Sequence, residues 1–297
     1  MADKPMRGVY PILVTPYDER GRIDVDSLRN LVEFCLRAGV HGLGIALGSE
    51  IVALSEEERS QVTRAVVDQV HGRVPVVVNS GGPVLELAVL YSRMAEEEGA
   101  DALMVRPPTF MPAGPDQVVE YYRAISDAVH IPIFIQDTGV TPVAASLALR
   151  IAQQCERVRY IKVESMPAPY QVTQAVAQAG DRLVVFGGAG GDYFIEEMRR
   201  GAVGTMPGCS QPEAFVQVWD AFQRGDDGAA QEAFYRWILP VNRLTNQVPG
   251  AFYPVHKEIL RRRGVIRTAT VRGPLLPLDE ATQGELQAVI DELYGSA

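Results

Sequence analysis

Between residue 8 and about residue 224 the chain repeats one pattern eight times: a short apolar run, then a longer stretch of helical spacing. The runs are "GVYPILVT" (8–15), "HGLGIAL" (41–47), "VPVVVNS" (74–80), "ADALMVRPP" (100–108), "IPIFIQD" (131–137), "VRYIKVES" (158–165), "RLVVFGG" (182–188) and "GAVGTMPG" (201–208). They are nearly continuous in apolar residues, as parallel strands buried on both faces must be. Between them lie amphipathic segments; the one near 56–70 opens with Ser55 and Glu58 at capping-box spacing. Eight evenly spaced strand–helix units imply an α/β chain folded as a (β/α)8 barrel. The competitor, an open doubly wound sheet, wants a glycine-rich phosphate turn after its first strand. "VTPYDERG" has no such turn.

After about Gly225 the strands stop. "AAQEAFYRWILPVNRLTNQ", "AFYPVHKEILRRRG" and "DEATQGELQAVIDELY" read as helices alone. The chain therefore divides into a barrel at 1–224 and a helical region at 225–297, with no low-complexity linker, so that the second is expected to pack on the first.

Composition narrows the function. The 297 residues carry 28 Lys plus Arg against 37 Asp plus Glu, a formal charge of −9. That excess of acid disfavours nucleic acid or an anionic membrane as a partner. No apolar run is long enough to span a bilayer, and the opening "MADKPMRGVYPILVTP" lacks a secretory apolar core. Cys35, Cys155 and Cys209 are sparse, odd in number and far apart. They suggest a reducing cytoplasm and no zinc site. His41, His71, His130 and His256 are equally scattered and read as loop caps or surface groups. No metal or cofactor is expected.

In a barrel of this kind the chemistry collects where the strands end. The endings supply Thr15, Gly48, Ser49, Glu50, Asn79, Thr109, Gln136, Asp137, Lys162, Glu164, Gly187 and Gly188 among others, and Lys162 is the single lysine in the set. A charge on an apolar strand is costly unless paired or used. Burial favours the neutral amine, which can attack a ketone and form a Schiff base. The alternative is a structural ion pair with Glu164 or Asp137; position alone leaves the two even. "FGGAGGD" (186–192) reads as close packing of a turn against a helix start more readily than as a phosphate loop.

The chain resembles the dihydrodipicolinate synthase / N-acetylneuraminate lyase family of class I aldolases. The likeness runs nearly end to end: through "GVYPILVTPYDERGRIDVDSLRNLVEFCLRAGVHGL", "SEIVALSEEER", "GRVPVVVNSGG", "AEEEGADALMVRPP" and "YIKVES". The last resembles the segment that holds the family's Schiff-base lysine, which implies that role for Lys162. Other positions depart. The family's Gly-Thr-Thr-Gly-Glu is here Ala46-Leu47-Gly48-Ser49-Glu50, and its Tyr-Asn-x-Pro is Gln136-Asp137-Thr138-Gly139. The synthase's substrate-holding arginine falls at Thr141 and the second tyrosine of the relay at Thr109. At several of these places the chain resembles one branch, the L-2-keto-3-deoxyarabonate dehydratases, with their Ser-Glu, Gln-Asp and Lys-Ile-Glu.

The resemblance implies a Schiff-base lyase acting on a small-molecule 2-keto-3-deoxy sugar acid, foremost as a dehydratase. A pyruvate-dependent aldolase or a synthase of the same family is one alternative, and a non-catalytic metabolite-binding barrel another. Expected catalytic residues are Lys162, Glu164 and Asp137. Strand alternation puts Glu164 on the same side as Lys162. Expected substrate-binding residues are Ser49, Gly48, Gln136, Thr109, Gly187 and Gly188, while Glu50 is expected to tie down its loop. The resemblance also implies a homo-oligomer, a tetramer or dimer.

Overall fold

The computed structural model describes residues 5–295. Eight parallel strands run through it in the order β1-β8-β7-β6-β5-β4-β3-β2. They are β1 (Gly8–Val9), β2 (Leu43–Ile45), β3 (Val76–Asn79), β4 (Ala102–Val105), β5 (Ile133–Asp137), β6 (Val158–Val163), β7 (Val184–Gly187) and β8 (Gly204–Thr205). Ile12 closes the sheet, bridging Gly44 of β2 on one side and Gly208 on the other. The intervening helices are α1 (Val25–Arg37), α2 (Glu56–Val70), α3 (Leu85–Glu97), α4 (Pro115–Ala128), α5 (Ala145–Gln154), α6 (Ala168–Ala179), α7 (Phe194–Met198) and α8 (Pro212–Gln223). The (β/α)8 barrel is thus present as expected.

Side-chain alternation sorts the strands into two cores. Tyr10, Ile12, Val77, Met104, Phe134, Tyr160 and Phe186 fill the barrel interior. Their neighbours in sequence, such as Ile45, Val78, Leu103, Ile135, Ile161 and Val185, face the helices and form the larger core. Helix starts follow local chemistry. Asp24 caps α1 through the Ser27 amide at 3.1 Å. Ser55 and Glu58 complete the capping box of α2, with bonds of 3.2 and 3.0 Å.

The first and last runs are shorter strands than the apolar pattern predicts. In 8–15 only Gly8–Val9 forms a ladder, and in 201–208 only Gly204–Thr205. Pro11 and Pro207 have no amide to give to a ladder, and Gly201 turns the chain with φ at 97°.

Beyond the barrel come α9 (Asp227–Ala233), a π-helical turn at Phe234–Ile238, α10 (Leu239–Thr245), α11 (Phe252–Arg262) and α12 (Glu280–Tyr294). Val241, Leu244, Val255, Ile259, Leu286 and Ile290 make a core of their own, while Leu260, Val265 and Ile266 join the barrel's core. His256 corrects the expectation of a loop or surface histidine. It is buried on α11 against Gly208, where an added Cβ would lie 2.2 Å from the ring, and its Nδ1 meets Ser210 Oγ at 2.7 Å. The helical period of "AFYPVHKEIL" puts it on the inward stripe with Phe252, Val255 and Ile259. All three cysteines are buried and unpaired.

Candidate active site

Strand register builds the centre of the site. In the β5–β6 pairing, Gln136 stands opposite Lys162 and Asp137 opposite Val163. Tyr160 fills the barrel interior, so the period of two carries Lys162 and then Glu164 to the inner side. Phe134 does the same for Gln136. Lys162 is 4% exposed, and its Nζ lies 2.9 Å from Glu164 Oε1. Glu164 Oε2 accepts from Gln136 Nε2 at 2.9 Å, and Gln136 Oε1 in turn accepts from Asn79 Nδ2 at 3.3 Å. The Ala189 amide adds a bond to Glu164 Oε1 at 3.2 Å. Three strands, β3, β5 and β6, and the turn after β7 therefore contribute to one connected network around a single amine.

Lys162, Glu164, Gln136 and Gly48 line a cavity of about 220 Å³ at the C-terminal mouth of the barrel. Ile12, Met206 and Pro207 give it an apolar side, and Gly190 borders it. The ammonium, the carboxylate and the amide converge on an otherwise largely apolar space, the usual build of a small-molecule site.

Asp137 is elsewhere. One residue on from inward Gln136, it points to the helix side, where Oδ1 accepts from the Val143 amide at 2.8 Å. Its Oδ2 accepts from the Ser165 amide at 3.1 Å and from Ser165 Oγ at 2.5 Å. It fastens the loops that follow β5 and β6. Ser49 is also buried, with its hydroxyl donating to Leu13 O and accepting from the Ala46 amide at 3.0 Å. Thr109 is exposed in the loop after β4 and does not line the cavity. Neither side chain of the pair Ser49 and Thr109 reaches the cavity.

Gly187 and Gly188 enter as absences of side chain. A Cβ on Gly188 would lie 2.4 Å from Glu164 Cγ and 2.8 Å from Lys162 Cε. One on Gly187 would lie 1.7 Å from Glu197 Oε2. Both keep space for acids and the lysine, and Gly48 similarly makes room for Phe252 and Ile12. Glu50 ties its loop as expected: its carboxylate takes Lys257 Nζ and, at 3.2 Å, the Arg272 amide.

Two features had no clear signal in the sequence. Phe252 and Tyr253, at the start of α11, line the cavity from the helical region, and Tyr253 donates its hydroxyl to Leu47 O at 3.1 Å. Glu197 on α7 is fully buried behind Gly187, and neither of its carboxyl oxygens has a hydrogen-bond partner among the described residues. Burial, then the charges of Glu164, Asp192 and Glu196, push its carboxyl up to about 8.

The comparisons with known proteins agree with this architecture. The model of the dihydrodipicolinate synthetase family matches residues 5–293. The chain belongs to that family. An L-2-keto-3-deoxyarabonate dehydratase of Azospirillum brasilense is 30% identical over 97% of this chain and 94% of its own length. A 4-hydroxy-tetrahydrodipicolinate synthase of Maridesulfovibrio salexigens is 28% identical over 95% of this chain and 96% of its own. Among solved structures, a putative dihydrodipicolinate synthetase from Pseudomonas aeruginosa superposes with a TM-score of 0.90 at 25% identity, covering 97% of this chain and all of the other. As a member of this family the chain is a lyase-type enzyme of small molecules. Among the described residues no helix is long and apolar enough to cross a membrane.

Proposed function

We propose that this chain is a Schiff-base lyase that dehydrates a 2-keto-3-deoxy sugar acid. The observation that carries the reading is the placement of one buried amine, Lys162, against Glu164 and Gln136 in the cavity at the barrel mouth. The 30% identity to an L-2-keto-3-deoxyarabonate dehydratase supports the same substrate class. Lys162 attacks the C2 ketone, water leaves, and an iminium forms. Glu164 is the base that takes the C3 proton, since its carboxylate stands beside the lysine. The C2=C3 enamine then expels the C4 hydroxyl as water. Gln136 orients Glu164 and reaches a substrate hydroxyl. The amides of Leu47 and Gly48, which open a short 3-10 turn and so lack an acceptor within it, suit the substrate carboxylate.

Asp137, Ser49 and Thr109 have no contact with substrate in this reading. The first two hold the loops, and Gly187 and Gly188 supply room. An aldolase that breaks C3–C4 would use the same iminium, and the synthase relatives keep that reading in view. Three free cysteines fit a cytoplasmic enzyme, and the family resemblance fits a homo-oligomer. The test is incubation with L-2-keto-3-deoxyarabonate or pyruvate and borohydride, followed by intact mass and peptide mapping. Trapped mass on Lys162, lost in Lys162→Ala, with dehydration of the sugar acid, is expected. Trapping on another lysine overturns the role of Lys162, and release of pyruvate in place of water overturns the dehydratase.

A further inference from the structure

Expulsion of the C4 hydroxyl needs a proton as well as an electron push, because hydroxide is a poor leaving group. In this family resemblance the proton carriers are tyrosines, and both of their places are taken here, by Gln136 and Thr109. Within the cavity the lining side chains that can exchange a proton are Lys162, Glu164 and Tyr253. Lys162 is consumed in the iminium, and Glu164 holds the C3 proton. Tyr253 is the remaining one.

Its position is suited to the task. The phenol enters from α11, and its hydroxyl is anchored on Leu47 O at 3.1 Å, just past the end of β2. In the eight-strand order, β2 and β6 are four strands apart in either direction round the closed sheet. Tyr253 and the Lys162–Glu164 pair therefore face the cavity from opposite walls. Burial first, and then the charge of Glu50, hold the phenol above its ordinary titration range. It is a neutral proton donor throughout the working range of pH.

We propose that Tyr253 is the general acid that protonates the departing C4 hydroxyl. This rests on the dehydratase reading above. Glu164 takes the C3 proton, and the C3–H electrons form C2=C3 as the iminium nitrogen accepts its pair. The enamine then forms C3=C4 as the C4–O bond breaks, and the oxygen takes the phenolic proton and leaves as water. The unsaturated iminium is hydrolysed to free Lys162 and ketone. The proton on Glu164 returns to the Tyr253 phenolate through solvent in the cavity, so no oxidant or other reactant is needed.

The experiment compares wild type with Tyr253→Phe on three readouts: borohydride trapping of pyruvate, exchange of the pyruvate methyl protons in deuterium oxide, and dehydration of L-2-keto-3-deoxyarabonate. A fourth uses its 4-fluoro analogue, whose fluoride departs with little help from an acid. Trapping and exchange within about twofold of wild type, with dehydration slowed about a hundredfold, is the expected result, that being the scale of a lost general acid. Loss with the fluoro analogue should be under about fivefold. A disturbed pocket would slow all four alike, and that outcome overturns the proposal. So does dehydration within about threefold of wild type. If wild type traps pyruvate and exchanges its protons but neither dehydrates the sugar acid nor releases fluoride from its analogue, the dehydratase reading has failed and this assignment falls with it.

Discussion

Glu164 and Asp137 lie at the ends of adjacent strands, yet a single residue of phase separates their roles. Gln136 pairs with Lys162, so Asp137 pairs with outward Val163 and turns to the loops, while Glu164 stays with the amine. Glu164→Gln is expected to keep borohydride trapping and to slow turnover by about a hundredfold or more. Asp137→Asn removes a charged acceptor from three buried donors, at 2.8, 3.1 and 2.5 Å. Its expected effect is a loss of stability of about 1–3 kcal/mol, with turnover per folded molecule reduced much less. Trapping, turnover and urea unfolding measured on both variants decide the matter. Normal turnover in Glu164→Gln beside a dead Asp137→Asn would make Asp137 the base.

At the scale of elements, the barrel and the late helices are joined by a buried ion pair. Glu50 has left-handed backbone, φ 55°, which is uncommon outside glycine. Lys257 of α11 holds its carboxylate and is itself wholly buried. The lysine also donates to Thr270 O at 2.8 Å and lies 4.4 Å from the centre of the Tyr17 ring, which Arg272 approaches to the same distance. Burial pulls the Lys257 pKa down and the Glu50 carboxylate opposes it. Removing one partner leaves the other charge buried alone, so Lys257→Met should cost about 3–5 kcal/mol. The double variant Glu50→Gln, Lys257→Met should lose clearly less than the sum of the two single changes. Urea unfolding provides the cycle, and additive losses would mean that the two groups do not act as a pair. Because α11 also carries Phe252 and Tyr253 to the cavity, the same variants should weaken pyruvate trapping.

For the molecule as a whole, pH acts through two buried groups of opposite sign. Glu197 has an ordinary value of 4.5 when unfolded and about 8 when folded. Between those values the folded chain keeps a proton that the unfolded chain has released, so stability falls as pH rises across the window. The total is roughly 5 kcal/mol. His256 is held down to about 4 by burial. Its contribution is present above 6.5 and is lost as pH falls from 6.5 toward 4. Glu197→Gln resembles the protonated acid and keeps His256 unchanged. Its stability relative to wild type should therefore rise between pH 5 and pH 8, by roughly 3 kcal/mol or more. A constant difference at the two pH values would show that Glu197 is not the group that titrates.

The amino-acid order alone determined the alternation of eight strands and helices, because apolar periodicity depends on neighbours a few residues apart. It also determined that Lys162 and Glu164 share a face, and that Ser55 and Glu58 start a helix. Glu50 as a loop tie was legible too. What only the tertiary structure decided involves separations that no local pattern encodes. The inward phase of β5, which separates Gln136 from Asp137, depends on register with β6. The use of Ser49 by Leu13 O joins residues 36 positions apart. Tyr253 reaches the mouth of the barrel only because α11 folds back to Leu47, 206 positions away. Helical spacing marks it as one more residue of an amphipathic segment. Glu197 likewise reads as a helix-surface acid in "DYFIEEMRRG", until β7 closes over it and removes it from water. Periodicity sets which side of its own element a residue takes, while the packing of elements sets what lies on that side.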